Sequence, residues 1–232
     1  EIKRKMAKSA MNAEPVTEGI YTISQTDGKF KVVGGSLTED GENLNSLTDA
    51  FNKILSFGTD TNININFDNV NISREAPTLT ESCELTLKGT YTSAAEAFII
   101  GSNDTFIIHN EADITTSSYV IRRSSAKNSK NSTVIFEQNG GTVKSVDGFY
   151  MYENDVISLN GGTINGNARG NGGTGSIKIK DGTWNGQLAQ IKDIDICGGQ
   201  LNNIKDDTST ITAISESEEV SISGGKIYAE NT

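Results

Sequence analysis

The sequence predicts an all-β fold, a right-handed parallel β-helix of about eight rungs with three short strands in each. Three observations carry this. One unit recurs: an apolar residue, another two positions on, a polar or Gly corner, and a third apolar residue seven positions after the first. Ile157-Ser-Leu159-Asn-Gly-Gly-Thr-Ile164 is its clearest copy, and units closing on Val143, Trp184, Leu201 and Ile227 repeat it. The closing residues at 70, 91, 114, 143, 164, 184, 201 and 227 return about every 22 residues, a period that marks solenoids and arrays. Inside each unit the alternation has period two, which is strand and not helix. A unit this short cannot bury its own apolar face, so it stacks on its neighbours as parallel strands about 4.8 Å apart.

Taken in order, residues 1–18 open with a basic Ile2-Lys-Arg-Lys run and have no β period, so they read as a lead segment, a short helix or a disordered arm. Residues 19–57 form the N-terminal hairpin and capping helix. Tyr21 and Ile23, then Phe30 and Val32, alternate on either side of Asp27-Gly28, a hairpin signal. Over residues 44–57, Leu44, Leu47, Ala50, Phe51, Ile54, Leu55 and Phe57 recur at three- and four-residue steps, one apolar stripe of a helix. Ser46 and Asp49 have capping-box spacing, and Gly58 supplies a stop. A helix at this place is expected to cover the open end of the solenoid, which would otherwise expose apolar residues and strand edges.

Residues 58–232 are the β-helix. Its first units are weaker: Ile63 and Ile65 close on Val70, Leu85 and Leu87 on Tyr91 with one corner residue deleted, and Ile107 and His109 on Ile114. A third strand is expected at 98–100, 119–122, 149–152, 188–191 and 211–214, whereas 165–173 reads as a loop.

Composition narrows the function classes. A net charge of −10 and the lack of a dense basic run exclude nucleic acid as a partner. No run of eighteen apolar residues exists, so no transmembrane segment is expected. Apolar content of 34% is low for a globular core but suits a solenoid, whose thin core takes alternate residues. The start at Glu1, without the apolar centre of a signal peptide, reads as a trimmed boundary. No C-terminal cap is legible, so either a neighbour caps that end or the parent protein continues; a monomer or part of a longer chain is expected. Cys83 and Cys197 fall ~24 Å apart along the axis, beyond disulfide reach, and are expected as free thiols.

Several side chains are candidates for chemistry. Asn110, Asn139 and Asn160 align at successive corners as an amide ladder or, alternatively, a polar recognition stripe. His109, the only histidine, is placed inward beside Gln138, as a hydrogen-bonded core pair rather than a catalytic base. Trp184 shares the inward column of Ile164 and Leu201. If Phe149 and Met151 face in, Tyr150 and Tyr152 face out, with Glu153 and Asn154 adjacent and Arg122 and Arg123 at the same height on the preceding rung. Aromatic faces flanked by guanidinium and amide groups suit a saccharide; the alternative is an ordinary half-buried strand face. Asp193, Asp195, Asp206 and Asp207 gather in one rung and offer oxygen ligands for Ca²⁺, or are simply solvated acids.

The Val/Ile-x-Ile-x-Gly-Gly-x-Ile units behind an amphipathic helix resemble the right-handed parallel β-helix of the pectin-lyase-like superfamily. The likeness is strongest to its secreted or surface bacterial members with Gly-Gly-Thr-Ile repeats, and it covers residues 44–228. It implies a fold more than an activity, because that scaffold hosts lyases, hydrolases, esterases, adhesins and non-catalytic sugar binders. The Asn-Thr-Asp, Asp-Asp, Gly-His-Gly and Arg-Ile-Lys segments of its hydrolases are missing, as is a catalytic Arg opposite stacked acids. The expectation is a non-catalytic bacterial protein, secreted or at the cell surface, contacting a polysaccharide or another surface polymer. The alternatives are a polysaccharide lyase or glycoside hydrolase of that superfamily, and a structural stalk or adhesin segment.

Overall fold

A computed structural model describes residues 19–37, 39–56, 62–125, 128–203, 214–215 and 219–229. Each turn runs strand, corner, strand, connection and short third strand, and the next turn lies directly upon it. Phe136 pairs with Ile157, Ile157 with Ile177 and Ile177 with Ile194; across the corner, Val143 pairs with Ile164, Ile164 with Trp184 and Trp184 with Leu201. All these pairings are parallel and in register, so each apolar column is one residue wide and fully covered. The result is a parallel β-solenoid of about seven turns with one α-helix among the described residues, as the right-handed parallel β-helix reading requires.

Two kinds of corner keep the columns in line. In the later turns the second Gly of each Gly-Gly pair has positive φ, +67° at Gly162. A Cβ there would sit 2.7 Å from the carbonyl carbon of Gly140 and closer still to the Gly141 oxygen. Only glycine lets one corner lie this tightly on the next. In the first two turns the strands Asn62–Ile72 and Cys83–Ser93 run through the corner without a break and absorb it as a bulge between Phe67 and Val70.

The N-terminal end is closed. Strands Tyr21–Thr26 and Lys29–Gly34 form the expected hairpin, with Asp27 and Gly28 both at positive φ, as a two-residue turn of right-handed twist demands. Tyr21 pairs in parallel with Ile65, so the hairpin is one more layer of the stack. Strand Gly41–Leu44 then leads into helix α1, Leu47–Leu55. The apolar spacing starts the helical stripe at Leu44, but Leu44 lies in the strand, because the Ser46–Asp49 capping box starts the helix after it. Phe51 of α1 lies 6.2 Å from the Phe67 ring and 5.8 Å from that of Phe98, plugging the end of the barrel. Residues 1–18, Phe57 and Gly58 lie outside the described residues.

Two expectations are corrected. The stretch 165–173 is not wholly loop: Ala168–Gly170 is a third strand, paired with Phe149–Met151 and Leu188–Ala189. Its buried residues, Ala168 and Gly170, are too small to announce themselves in the pattern. In the third turn the register is shifted by one. Phe106, Ile108 and Asn110 point inward, and His109 points out. The Ile107-Ile108 doublet permits either register. The corner of Glu111, Ala112 and Asp113 is one residue shorter than later ones, and this selects the second. The inward polar pair is therefore Asn110 with Gln138, joined at 2.9 Å. Asn139 and Asn160 keep their side-chain bond at 2.8 Å, and a further ladder joins Asn165, Asn185 and Asn202 at 2.7 and 2.8 Å. Cys83 is a buried free thiol, pushed up to about 12 by desolvation, and Cys197 is free and exposed.

Candidate functional site

The first two strand faces run unbroken along the solenoid, but the third does not. Thr78–Leu79, Phe98–Ile100 and Ile121–Arg123 form one small sheet. Phe149–Met151, Ala168–Gly170, Leu188–Ala189 and Ile214–Ser215 form another. Among the described residues, the one bridge between them is Tyr119 to Gly148. The cause is legible in the chain: closing residues 114 and 143 are the widest-spaced pair, and the extra length ends in a 3-10 turn at Ser129–Asn131. An insertion on one side of a parallel ladder leaves the facing strand short of partners, and side chains fill the gap.

Arg123 and Asp155 stitch this seam. Arg123 donates Nη2 to Asp155 and Nε to the Ser129 carbonyl at 3.2 Å. Their side chains are only 2% and 5% exposed. Asp155 also accepts the backbone N–H groups of Tyr152 at 2.9 Å and Val134 at 3.3 Å. Burial pushes the Asp155 carboxyl up, against the opposing pull of Arg123 and these amides. The pair thus ties the third, fourth and fifth turns together from inside.

Over the seam lies a shallow hollow of about 150 Å³, lined by Tyr119, Ile121, Arg122, Arg123, Tyr150 and Tyr152. Phe149 and Met151 are buried, which turns Tyr150 and Tyr152 outward. The rings meet edge to face: Tyr119 to Tyr150 at 6.1 Å and Tyr150 to Tyr152 at 5.5 Å. The Arg123 guanidinium lies 5.2 Å from the Tyr152 ring centre, so it supports that ring from below the surface. Arg122 is exposed and holds Glu96 at 2.8 Å. The Tyr150 hydroxyl donates to Asn171 at 3.0 Å. Desolvation, chiefly, raises the Tyr152 phenol, so it stays a neutral donor at physiological pH. Such a wall offers aromatic surface for stacking and fixed polar groups at its rim.

Of the residues singled out in the sequence, Arg122, Arg123, Tyr150 and Tyr152 come together here. Glu153 and Asn154 stand beside the hollow and do not line it; Glu153 faces Lys192 at 3.5 Å, and Asn154 donates to the Asn131 carbonyl at 3.3 Å. Tyr119 lines the hollow and Glu96 stands behind it, holding Arg122; neither is among the candidates read from the sequence. The unusual 114–143 spacing was the available signal for Tyr119. Glu96 had none, since its partner is reached only by the stacking of turns.

The remaining candidates lie elsewhere. His109 bridges two carboxylates on the outer face, Glu84 at 2.8 Å and Glu137 at 2.7 Å, and their hydrogen bonds, Glu137 first, raise it to about 9. Each ring nitrogen already holds its own carboxylate. Trp184 is buried, with Nε1 donating to the Gly166 carbonyl at 2.8 Å. Asp193 and Asp195 line a shallow groove with Glu219, but Asp195 pairs with Lys178 at 3.1 Å. Among the described residues no three His, Cys, Asp or Glu side chains converge as a metal site. Asp206 and Asp207 lie outside the described residues. No described helix is long and apolar enough to cross a membrane. Comparison with protein families, with curated proteins and with solved structures finds no match for this chain.

Proposed function

We propose that the chain is a non-catalytic β-helix that contacts a saccharide, or another surface polymer, at the tyrosine-lined hollow over the seam. The observation that supports this is the meeting of Tyr119, Tyr150 and Tyr152 with Arg122 at the interruption of the third face. Aromatic rings offer the apolar faces of a sugar a stacking surface, and guanidinium and carboxylate groups at the rim are donors and acceptors for its hydroxyls. Secretion or display on a bacterial cell surface, and membership of the pectin-lyase-like superfamily, go with this proposal, because a long exposed solenoid suits contact with extended polymers. Calcium at the Asp193–Asp195 rung remains a subsidiary proposal, tested by repeating the assay with chelator.

The test is a glycan-binding screen in which the same polymers are assayed for chain cleavage. Binding without cleavage, weakened at least tenfold by Tyr150→Ala in a variant of unchanged circular dichroism, is the expected result. Cleavage would overturn the non-catalytic reading, and binding indifferent to Tyr150→Ala would remove the hollow from it.

A further inference from the structure

We infer that this hollow selects an uncharged sugar unit over a uronate or sulfated one, an inference that rests on the saccharide reading above. Two arginines in the lining would ordinarily suggest an anionic ligand. Both are already neutralised. Arg123 is spent on Asp155, inside the protein, where breaking the pair would strand a buried charge. Arg122 holds Glu96 at 2.8 Å, and the Glu96 side chain is only 16% exposed. An incoming carboxylate would have to displace Glu96 or sit beside it, and either choice brings like charges together at short range.

The next cation along the face, Arg169, pairs in register with Tyr150 but is not among the lining residues, and its Nε donates to Gln190 at 3.0 Å. Beyond the site, the chain's net charge of −10 repels polyanions before contact. A neutral sugar meets none of these costs. Its hydroxyls can accept from Arg122 and donate to Glu96 without separating them, while its ring lies against the tyrosines. The size agrees: about 150 Å³ is room for roughly five water molecules at ~30 Å³ each, which suits one ring of a polymer rather than a run of residues.

The probes are neutral β-glucan, mannan and galactan set against polygalacturonate, alginate and a sulfated galactan, each at low and at high salt. The expected result is binding of a neutral polymer, lost in Tyr150→Ala, with affinity that changes less than about twofold with salt, because no ionic contact is made. Glu96→Gln should free Arg122 and raise affinity for polygalacturonate about tenfold or more at low salt, an increase that high salt removes. Tyr150-dependent, salt-sensitive binding of polyanions by the unaltered chain would overturn this inference and leave the saccharide reading in place. Binding of neither class would remove the saccharide reading, and the inference with it.

Discussion

The continuous first face and the broken third face of this solenoid are made of the same kind of strand, yet the broken one carries a tyrosine-lined hollow and the continuous one a groove lined by the acids Asp193, Asp195 and Glu219. On the first face the strands pair turn upon turn, from Tyr21 at the hairpin to Ile222 in the last described pair. On the third face the ladder lapses between Arg123 and Phe149, and a buried ion pair and three tyrosines take its place. An insertion that interrupts regular stacking forces side chains to do what backbone hydrogen bonds no longer do, and so gathers aromatic rings where the regular face presents only alternating polar side chains.

The sharpest way to break the comparison is to remove the stitch. Asp155→Asn leaves the Arg123 guanidinium buried without its counter-charge, and breaking such a pair costs about 3–5 kcal/mol. Thermal melting should show the loss, and hydrogen exchange should place it at 121–123 and 149–151. An unchanged melting temperature would mean the seam does not depend on this pair.

Next in size is the stacking of the regular turns. Gly162→Ala forces a Cβ against the Gly140 and Gly141 carbonyls as well as into positive φ, and about 3 kcal/mol of destabilisation is expected. Gly28→Ala is the control: φ is +73°, but nothing lies within 4 Å of the new atom. Only the torsional cost of about 1 kcal/mol should remain. Equal losses at the two sites would show that backbone conformation alone, and not the closeness of the turns, requires glycine at the corner.

The smallest expected effect is a pH dependence on the continuous face, where the Glu84–His109–Glu137 clip spans three turns. His109 titrates near 9 when folded, above its ordinary 6.5, so its contribution is complete below about 6.5 and is lost as pH rises through about 9. Glu137 is lowered by His109, so its contribution is present above the ordinary 4.5 and is lost as pH falls through the lowered value. Both contributions are therefore complete between about 4.5 and 6.5. Melting temperature should fall more between about pH 6 and pH 9.5 in the unaltered protein than in His109→Gln; parallel curves would show that the clip adds nothing.

Much of the fold was legible because a repeat prints its own register. Ile157, Leu159 and Ile164 recur with Gly-Gly between them, and the structure stacks them as that spacing requires. Legibility failed where the code is ambiguous or faint. Ile107-Ile108 fits either register, and the shorter corner that turns His109 outward is recognised only against the turns on each side. Ala168 gives too little apolar signal to mark a strand. The outward pair Tyr150 and Tyr152 followed from the inward Phe149 and Met151, since alternation fixes both faces of a strand at once.

By itself, then, the sequence determined the strand period, the hairpin at Asp27-Gly28, the helix cap at Ser46 and the inward apolar columns, all of which depend on residues close together in the chain. Only the tertiary structure decided that Arg123 would be buried on Asp155 while Arg122 reaches Glu96, and that Tyr119 would join Tyr150. These partners lie 26 to 32 residues apart. Which of them meet is set by how many residues each turn contains, because every insertion changes which side chains the next turn lays upon the last.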